Sequence, residues 1–243
     1  MKKKWILDIR LFEELEHANS LSEYAGKLYE IEQEAHLICA RYARKLREEG
    51  FITGDFDHVY IVMTPSLEEQ KIWESERRIE KWMKYYYIGV STAFFNCKTD
   101  QEKEEYILEI ISKVLRRIAM NAEQARLVSD VQNILFRSGS EIEITHLYKE
   151  TSKYSVKVVY QIKPLHKKSK AIIEYHDLIY HVRRKSVFLE LNFYEDIYFL
   201  VSSVTMNNGV LSIKPRVSQS ASYHIKSYKT PILISINEIP IVG

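Results

Sequence analysis

Residues 85–95 read Tyr-Tyr-Tyr-Ile-Gly-Val-Ser-Thr-Ala-Phe-Phe, an apolar run typical of a strand, and they lead into the longest amphipathic segment of the chain. Thr99 lies three residues before Glu102. The Thr99 hydroxyl can accept a hydrogen bond from the Glu102 N–H while the Glu102 carboxylate accepts one from the Thr99 N–H, which marks a helix start. Apolar residues then recur at spacings of three and four until Ser138-Gly139, so we expect one long helix. Its expected buried face is formed by Ile107, Ile110, Ile111, Val114, Leu115, Ile118, Val128, Val131, Ile134 and Leu135.

Two stretches before this segment have the pattern of strands. Lys4 to Phe12 alternates loosely between apolar and polar residues, which is the period of two of a half-buried strand. Val59 to Met63 is a short continuous apolar run ended by Thr64-Pro65, which is typical of a buried strand. With the strand that begins near Tyr85, the first half of the chain is expected to contain three strands.

Two further capping boxes predict helices between these strands. Ser20 precedes Glu23 by three residues, and the apolar residues after them keep helical spacing until Gly50, a glycine typical of a helix end. Ser66 and Glu69 predict a second helix that reaches Met83. Residues 1–137 therefore have the order β-α-β-α-β-α, which favours a parallel or mixed sheet covered by helices.

After Gly139 the hydrophobic period changes from 3.6 to 2, which predicts antiparallel sheet. Tyr154 to Ile162 alternates between apolar and polar residues and follows Ile142 and Ile144 across a polar turn, which predicts a hairpin. Asn208-Gly209 predicts a type I′ turn, because both central residues of that turn need positive φ. Further strands are expected at Ala171–Tyr175, Leu178–Val182, Val187–Phe193, Ile197–Met206, Val210–Ile213 and Ile232–Ile236.

These patterns together predict an α+β protein. Its helix-rich α/β half is expected at residues 1–137 and its antiparallel β half at residues 138–243. No long flexible linker separates the two halves. We therefore expect them to share an interface, or to form a single domain.

The composition is ordinary for a globular protein, since 46% of the 243 residues are hydrophobic and no window approaches 18 uncharged apolar residues. The Lys2-Lys3-Lys4 start is followed too soon by Asp8 and Arg10 for a signal peptide. The sequence thus predicts a cytoplasmic protein with no membrane partner.

Cys39 and Cys97 are expected to be buried, reduced thiols.

The net charge of +2 conceals a difference between the halves. Residues 138–243 contain 14 Lys and Arg against 9 Asp and Glu, a balance of +5, whereas residues 1–137 contain 21 against 24, a balance of −3. A modest positive excess of this kind indicates a bias of the second half toward an acidic partner.

No motif for catalysis or cofactor binding is present. The five histidines of the second half lack metal-site spacing, and the chain has neither a glycine-rich phosphate loop nor Gly-x-Ser-x-Gly. We therefore expect no metal, no cofactor and no catalytic residue. Paired glutamates such as Glu13-Glu14 and Glu68-Glu69 are expected at helix ends or on polar faces, where they serve structure.

Two basic turns of the second half are the predicted contact surface. The segments His166-Lys167-Lys168-Ser169-Lys170 and His181-Val182-Arg183-Arg184-Lys185 are expected at the same end of the sheet, with aromatic residues beside them. Solvated loops are the simpler interpretation of such charges, and contact with a partner is the functional one. The predicted partner-binding residues are Lys167, Lys168, Arg183, Arg184, Tyr175 and Tyr180.

The first half of the chain resembles the small cytosolic immunity proteins of bacterial polymorphic-toxin systems. The likeness lies in the amphipathic helices, in Asp57 to Pro65, in the Trp- and Tyr-rich passage from helix to strand at Trp82–Val90, and in the Lys103–Arg117 helix. It assigns no functional residue to any position here. The resemblance implies a protein that is not an enzyme and that binds and neutralises a cognate toxin domain.

Two alternatives remain open on the sequence. A nucleic-acid-binding or defence-associated accessory protein would use the basic loops of the second half, and its binding would weaken steeply with salt. An enzyme with an unrecognised site would need titratable groups that converge in a pocket. A large toxin gene directly upstream would favour the immunity hypothesis over both.

Overall fold

A computed structural model describes residues 3–15, 22–31, 35–76 and 79–242. It confirms an α+β fold, with most of the helical residues in the N-terminal half and several antiparallel sheets. The chain divides into two compact units, Met1–Ile142 and Glu143–Gly243. Among the described residues, no helix combines the length and the apolar character needed to cross a bilayer.

The first unit contains seven strands and four α-helices over its described residues. In chain order they are β1 (Lys4–Trp5), β2 (Asp8–Glu13), β3 (Glu23–Tyr24), α1 (Ala35–Glu48), β4 (Ile52–Gly54), β5 (His58–Thr64), β6 (Ile72–Glu74), β7 (Met83–Gly89), α2 (Thr92–Asn96), α3 (Asp100–Ile118) and α4 (Ala122–Ser138).

The centre of this unit is a five-stranded mixed sheet with the order β3-β2-β5-β7-β6. The three inner strands are parallel to one another and the two short edge strands are antiparallel to their neighbours. Alternate residues of the inner strands, such as Ile9, Ile61 and Tyr86, join the residues of α1, α3 and α4 in one buried core. The mixed sheet covered by helices is therefore confirmed.

The predicted long helix after Thr99 is two helices. The capping box at its start is confirmed, because the Thr99 N–H donates to Glu102 Oε2 at 2.8 Å and the Glu102 N–H donates to Thr99 Oγ1 at 3.4 Å. The chain leaves the helix at Ala119, and Asn121 caps a new helix by accepting from the Gln124 N–H at 2.9 Å. In the second helix Val128, Val131 and Leu135 are buried as predicted, whereas Ile134, also expected in the buried face, is 37% exposed.

The predicted helix from Ser20 to Gly50 is correct only in its second part. Ser20 lies outside the described residues, and Glu23 belongs to the short strand β3, so α1 begins only at Ala35. The predicted end is confirmed, because Gly50 has φ +85° and its N–H donates to the Arg47 carbonyl at 3.2 Å.

Glu13 explains why residues 26–29 are not helical. Its carboxylate accepts hydrogen bonds from four successive backbone N–H groups, those of Gly26, Lys27, Leu28 and Tyr29, at 2.9 to 3.1 Å. Hydrogen bonds to an ionised carboxylate are stronger than those between neutral groups, so these N–H groups are bound to Glu13 and not to carbonyl groups of a helix. The expectation that Glu13 and Glu14 lie at a helix end or on a polar face was wrong, since both are buried at the end of β2.

The predicted helix from Ser66 to Met83 was also wrong. Over the described residues of this segment the chain forms turns, β6 and the start of β7, so the expected passage from helix to strand at Trp82–Val90 is a passage from turn to strand. Glu69 does not close a capping box. Its carboxylate accepts instead from the Ser91 N–H at 2.8 Å and from the Tyr106 hydroxyl at 2.7 Å, which are contacts between residues far apart in sequence.

The second unit contains three- and four-stranded antiparallel sheets. Its elements are β8 (Ile144–Glu150), β9 (Tyr154–Gln161), β10 (Ser169–Asp177), β11 (Val182–Leu191), α5 (Ile197–Leu200), β12 (Ser203–Asn207), β13 (Val210–Lys214), α6 (Gln219–His224) and β14 (Ile232–Ser235). The four-stranded sheet has the order β11-β10-β9-β8 and the three-stranded sheet the order β12-β13-β14.

The local predictions for this unit are largely confirmed. β8 and β9 form the expected hairpin, and Asn208 and Gly209 both have positive φ, at 47° and 73°. Two strands were misplaced. Residues 178–181 form a turn, because Asp177 Oδ1 accepts from the Ile179 and Tyr180 N–H groups at 2.9 Å each, and residues 197–206 divide into α5 and β12.

The two cysteines are unpaired and in different surroundings. Cys39 is buried in α1, and burial raises the pKa of its thiol. Cys97 is exposed, contrary to the expectation of a buried thiol, because the chain turns outward between α2 and α3.

Removal of the partner of a buried arginine is expected to destabilise the first unit. The Arg41 side chain is 1% exposed, and its Nη2 lies 2.6 Å from Glu104 Oε1. Glu104→Gln should lower the free energy of unfolding by about 1 to 3 kcal/mol, because it removes a carboxylate that pairs with a buried charge and is itself partly exposed to water. Urea unfolding measures this. Glu105→Gln, at the neighbouring position, is the control, and an equal effect of both would show that the Arg41–Glu104 pair contributes nothing specific.

Candidate functional site

The two predicted basic turns lie at opposite ends of the four-stranded sheet. Lys167 and Lys168 are exposed in the connection from β9 to β10, whereas Tyr180 is in the turn from β10 to β11. The nine residues of β10 separate the two turns by about 30 Å at roughly 3.3 Å per residue. The expectation that both turns share one end was wrong, because consecutive hairpins of an antiparallel sheet turn at alternate ends.

The two predicted aromatic residues also differ in position. Tyr180 is 76% exposed at the hairpin tip. Tyr175 is 6% exposed and stacks on Tyr154, with ring centroids 6.0 Å apart. Burial, and then the nearby Asp177 carboxylate, raise the pKa of Tyr175. Tyr175 therefore supports the sheet, and Tyr180 is the predicted aromatic residue that a partner can reach.

Arg183 and Arg184 line a surface groove of about 320 Å³ on the four-stranded sheet. We call this feature the sheet groove. It is lined by Tyr148, Ser155, Lys157, Glu174, Tyr175, His176, Arg183, Arg184, Lys185 and Val242. Three of the six predicted contact residues thus lie together here, while Lys167 and Lys168 lie outside it.

Strand register places the polar residues of the sheet groove in two neighbouring rows. Lys185, Glu174, Lys157 and Tyr148 are paired in sequence across the four strands. Two residues further along each strand, and so on the same face of the sheet, Arg183 pairs with His176 and His176 pairs with Ser155. Directly opposed side chains lie about 5 Å apart, so the two rows form one continuous surface of hydrogen-bonding and charged groups.

Lys185 is fixed within the groove by two carboxylates. Its Nζ lies 2.6 Å from Glu143 Oε2 and 2.9 Å from Glu174 Oε1. Burial alone would lower the pKa of Lys185, but hydrogen bonds and charge attraction from the two glutamates outweigh it, so the pKa is raised. Lys185 is therefore cationic at neutral pH and its charge is locally compensated.

Lys157 and Arg183 differ from Lys185 in having no such compensation. Among the described residues, neither side chain forms a hydrogen bond or an ion pair. Arg183 is exposed, and Lys157 is half-buried between Glu174 and Tyr148. Arg184 is held differently, since its Nη1 donates to the Ile239 carbonyl at 2.6 Å. The sheet groove thus offers two cations that an incoming anionic group can pair with.

Exposed apolar side chains surround these cations. Tyr148 on β8 is 59% exposed, Ile179 beside Tyr180 is 57% exposed, and Ile241 is 64% exposed. The segment that carries Ile241 is attached to β11, because the Val242 N–H donates to the Arg183 carbonyl at 3.0 Å and the Lys185 N–H donates to the Pro240 carbonyl at 3.1 Å. The site therefore combines free positive charge with exposed aromatic and aliphatic surface.

Sequence reasoning missed part of this groove. Lys157 counted only as a polar position of the alternating strand Tyr154–Ile162 and His176 as one of five histidines without metal-site spacing, and Glu174 was not singled out. The usable signal was their alternation on adjacent strands, but register was needed to show that they are neighbours. Among the described residues, there is no group of three or more His, Cys, Asp or Glu that could hold a metal ion.

Comparisons with protein-family models, curated proteins and solved structures found no match to this chain.

Proposed function

We propose that this protein acts by binding a partner protein through the sheet groove, and that the partner is a cognate bacterial toxin which it neutralises. The observation that carries the proposal is the placement of uncompensated Lys157 and Arg183 beside exposed Tyr148, Ile179 and Tyr180. Arginine and tyrosine are enriched at the centres of protein interfaces, where rings supply buried area and cations supply orientation.

The surface chemistry favours a protein as the occupant of the sheet groove. Ile179 and Ile241 are exposed aliphatic side chains next to the cations. Aliphatic surface is stabilised by contact with another apolar surface, which a protein provides and a phosphate backbone does not. Lys157 and Arg183 would lose water on binding, and a desolvated charge must be paired. The partner is therefore expected to place carboxylates opposite these two cations. An acidic patch with apolar residues at its centre is the complementary surface.

Toxin neutralisation is the form of binding that the resemblance of the first half to immunity proteins suggests. Such a protein functions by occlusion, so it needs a rigid surface and no catalytic group. The sheet groove is built on four paired strands, which hold the contacting side chains in fixed register.

The test is binding between this protein and the toxin domain that we expect a neighbouring gene to encode, measured by surface plasmon resonance. The unmodified chain should bind it and protect cells that express it. Lys157→Glu with Arg183→Glu should reduce the association rate and its salt dependence, because these charges steer the encounter. Tyr180→Ala should weaken affinity by about 2 kcal/mol, mainly through faster dissociation, if the ring is an anchor.

Lys167→Glu with Lys168→Glu provides the matched control, since it makes the same change of charge at the other end of the sheet. It should leave toxin affinity and protection unchanged. If this control weakens binding as much as the Lys157 and Arg183 pair, the sheet groove is not the contact. If no neighbouring gene product binds at all, toxin neutralisation is wrong.

A further inference from the structure

The other end of the second unit is almost free of negative charge. Residues 197–237 contain Lys214, Arg216, Lys226 and Lys229 but no Asp or Glu. Residues 162–173, which include the turn from β9 to β10, contain Lys163, Lys167, Lys168 and Lys170 and also no Asp or Glu. Apart from Lys163, which is buried, and Lys170, which is half-buried, these cations are exposed.

Hydrogen bonds bring the two segments together. Lys168 Nζ donates to Asn192 Oδ1 at 2.8 Å, and Asn192 Nδ2 donates to Ser227 Oγ at 3.1 Å. The Asn192 N–H donates to the Tyr228 hydroxyl at 2.6 Å. The turn that carries Lys167 and Lys168 therefore adjoins the segment that carries Lys226 and Lys229. We call this surface the basic end.

Exposed rings lie on the basic end beside these cations. Phe193 is 71% exposed and Tyr223 is 80% exposed. His224 is stacked on Phe199, with ring centroids 4.2 Å apart and ring planes within 3°, and its side chain is 43% exposed. Tyr223 meets His224 edge-on at 6.0 Å. The basic end thus displays aromatic rings, one of them already part of a stack.

One buried carboxylate holds these rings in place. Asp196 Oδ2 accepts from the Phe193 N–H at 3.1 Å and from the Tyr228 hydroxyl at 2.5 Å, and Oδ1 lies 4.0 Å from His224 Nδ1. Burial, assisted by Asp196, raises the pKa of Tyr228 to about 12, so its hydroxyl keeps the proton that it donates. Asp196 is 2% exposed, so its carboxylate is buried and is not presented on the surface of the basic end. The exposed carboxylates nearest in sequence are Glu190 and Glu195.

We propose that the basic end is a binding site for single-stranded nucleic acid, separate from the sheet groove. Exposed rings can stack on bases of any sequence while neighbouring lysines follow the phosphates. Asp196 holds two of the exposed rings, those of Phe193 and His224, and Tyr223 lies against His224. The sheet groove is lined by Glu174, which repels phosphate, whereas residues 162–173 and 197–237 contain no Asp or Glu, so the basic end is the surface that suits a polyanion.

Fluorescence anisotropy with a labelled 15-nucleotide oligouridylate and the full chain tests the proposal. We expect binding at 0.1 M salt that weakens as salt rises, with a log–log slope close to −0.7 for each phosphate neutralised. Tyr223→Ala should weaken binding about tenfold, through the loss of one stacked base. Lys167→Glu, Lys168→Glu and Lys226→Glu together should reduce the magnitude of the salt slope by about 2.

The opposite end of the same sheet supplies the controls. Tyr180→Ala removes a ring that is equally exposed, and Lys153→Glu reverses a charge in the turn between β8 and β9. Both should leave oligouridylate affinity unchanged. The proposal is overturned if the oligonucleotide does not bind, if polyglutamate competes as well as unlabelled oligouridylate, or if Tyr180→Ala is as harmful as Tyr223→Ala. None of these outcomes bears on toxin binding by the sheet groove.

Discussion

Glu13→Gln is expected to lower the free energy of unfolding by about 3 kcal/mol, because it replaces a buried carboxylate that accepts four backbone hydrogen bonds. Each carboxylate oxygen accepts two of them: Oε2 from Gly26 and Tyr29, and Oε1 from Lys27 and Leu28. The glutamine amide retains one oxygen and directs N–H groups at the other two donors. Two donors and the new amide are then left without acceptors.

Glu23 gives the matched control for Glu13. The two residues are opposite one another in the pairing of β2 with β3. The Glu23 side chain is 65% exposed, and its ion pair with Lys27 is a surface contact. Glu23→Gln should therefore leave the urea midpoint unchanged within error. Equal midpoints for Glu13→Gln and the unmodified protein would show that the segment Gly26–Tyr29 is not held by this carboxylate.

Gly89→Ala is expected to destabilise the first unit by about 3 kcal/mol or more, because the new methyl group collides with backbone. A Cβ at Gly89 would lie 1.9 Å from the Glu68 carbonyl oxygen and 2.8 Å from that of Leu67. The surrounding chain is tied to β7, since the Gln70 N–H donates to the Gly89 carbonyl at 2.7 Å and the Gly89 N–H donates to the Lys71 carbonyl at 3.0 Å. Relief of the collision requires these hydrogen bonds to break.

Gly50→Ala separates steric collision from the ordinary cost of replacing glycine. Gly50 has φ +85°, and no atom lies within 4 Å of the position that its Cβ would occupy. Only the backbone conformation is then penalised, by about 1 to 2 kcal/mol. Thermal and urea unfolding should rank Gly89→Ala well below Gly50→Ala in stability. The reverse order would mean that residues 67–71 do not pack against β7 as described.

Local sequence signals predicted the elements whose stabilising contacts are also local. The Thr99–Glu102 box, the β8–β9 hairpin and the Asn208-Gly209 turn each satisfy their own backbone within a few residues. The same type of signal failed at Ser66 and Glu69. There the glutamate bonds to Ser91 and Tyr106, which are distant in sequence. A capping pattern cannot reveal such a competing partner.

The candidate site was predictable only in part for a related reason. Composition identified the basic residues Arg183 and Arg184. The prediction of Tyr180 as a contact residue agrees with its exposure at a hairpin tip. The neighbours of Arg183 depend on pairing across three strands, which brings His176 and Ser155 into the same row. The positions of Lys167 and Lys168 at the far end follow from the order of hairpins, not from their charge.

Hydroxyl-radical footprinting of the complex with the proposed toxin domain tests most directly whether the sheet groove is the contact surface. Tyr148 lines the groove and is 59% exposed, and Tyr180, in the turn before Arg183, is 76% exposed, while Phe193 and Tyr223 are similarly exposed on the basic end, at 71% and 80%. We predict that the toxin domain protects Tyr148 and Tyr180 from oxidation and leaves Phe193 and Tyr223 as reactive as in the free protein. Protection of Phe193 and Tyr223, with Tyr148 and Tyr180 still fully oxidised, would contradict binding through the groove.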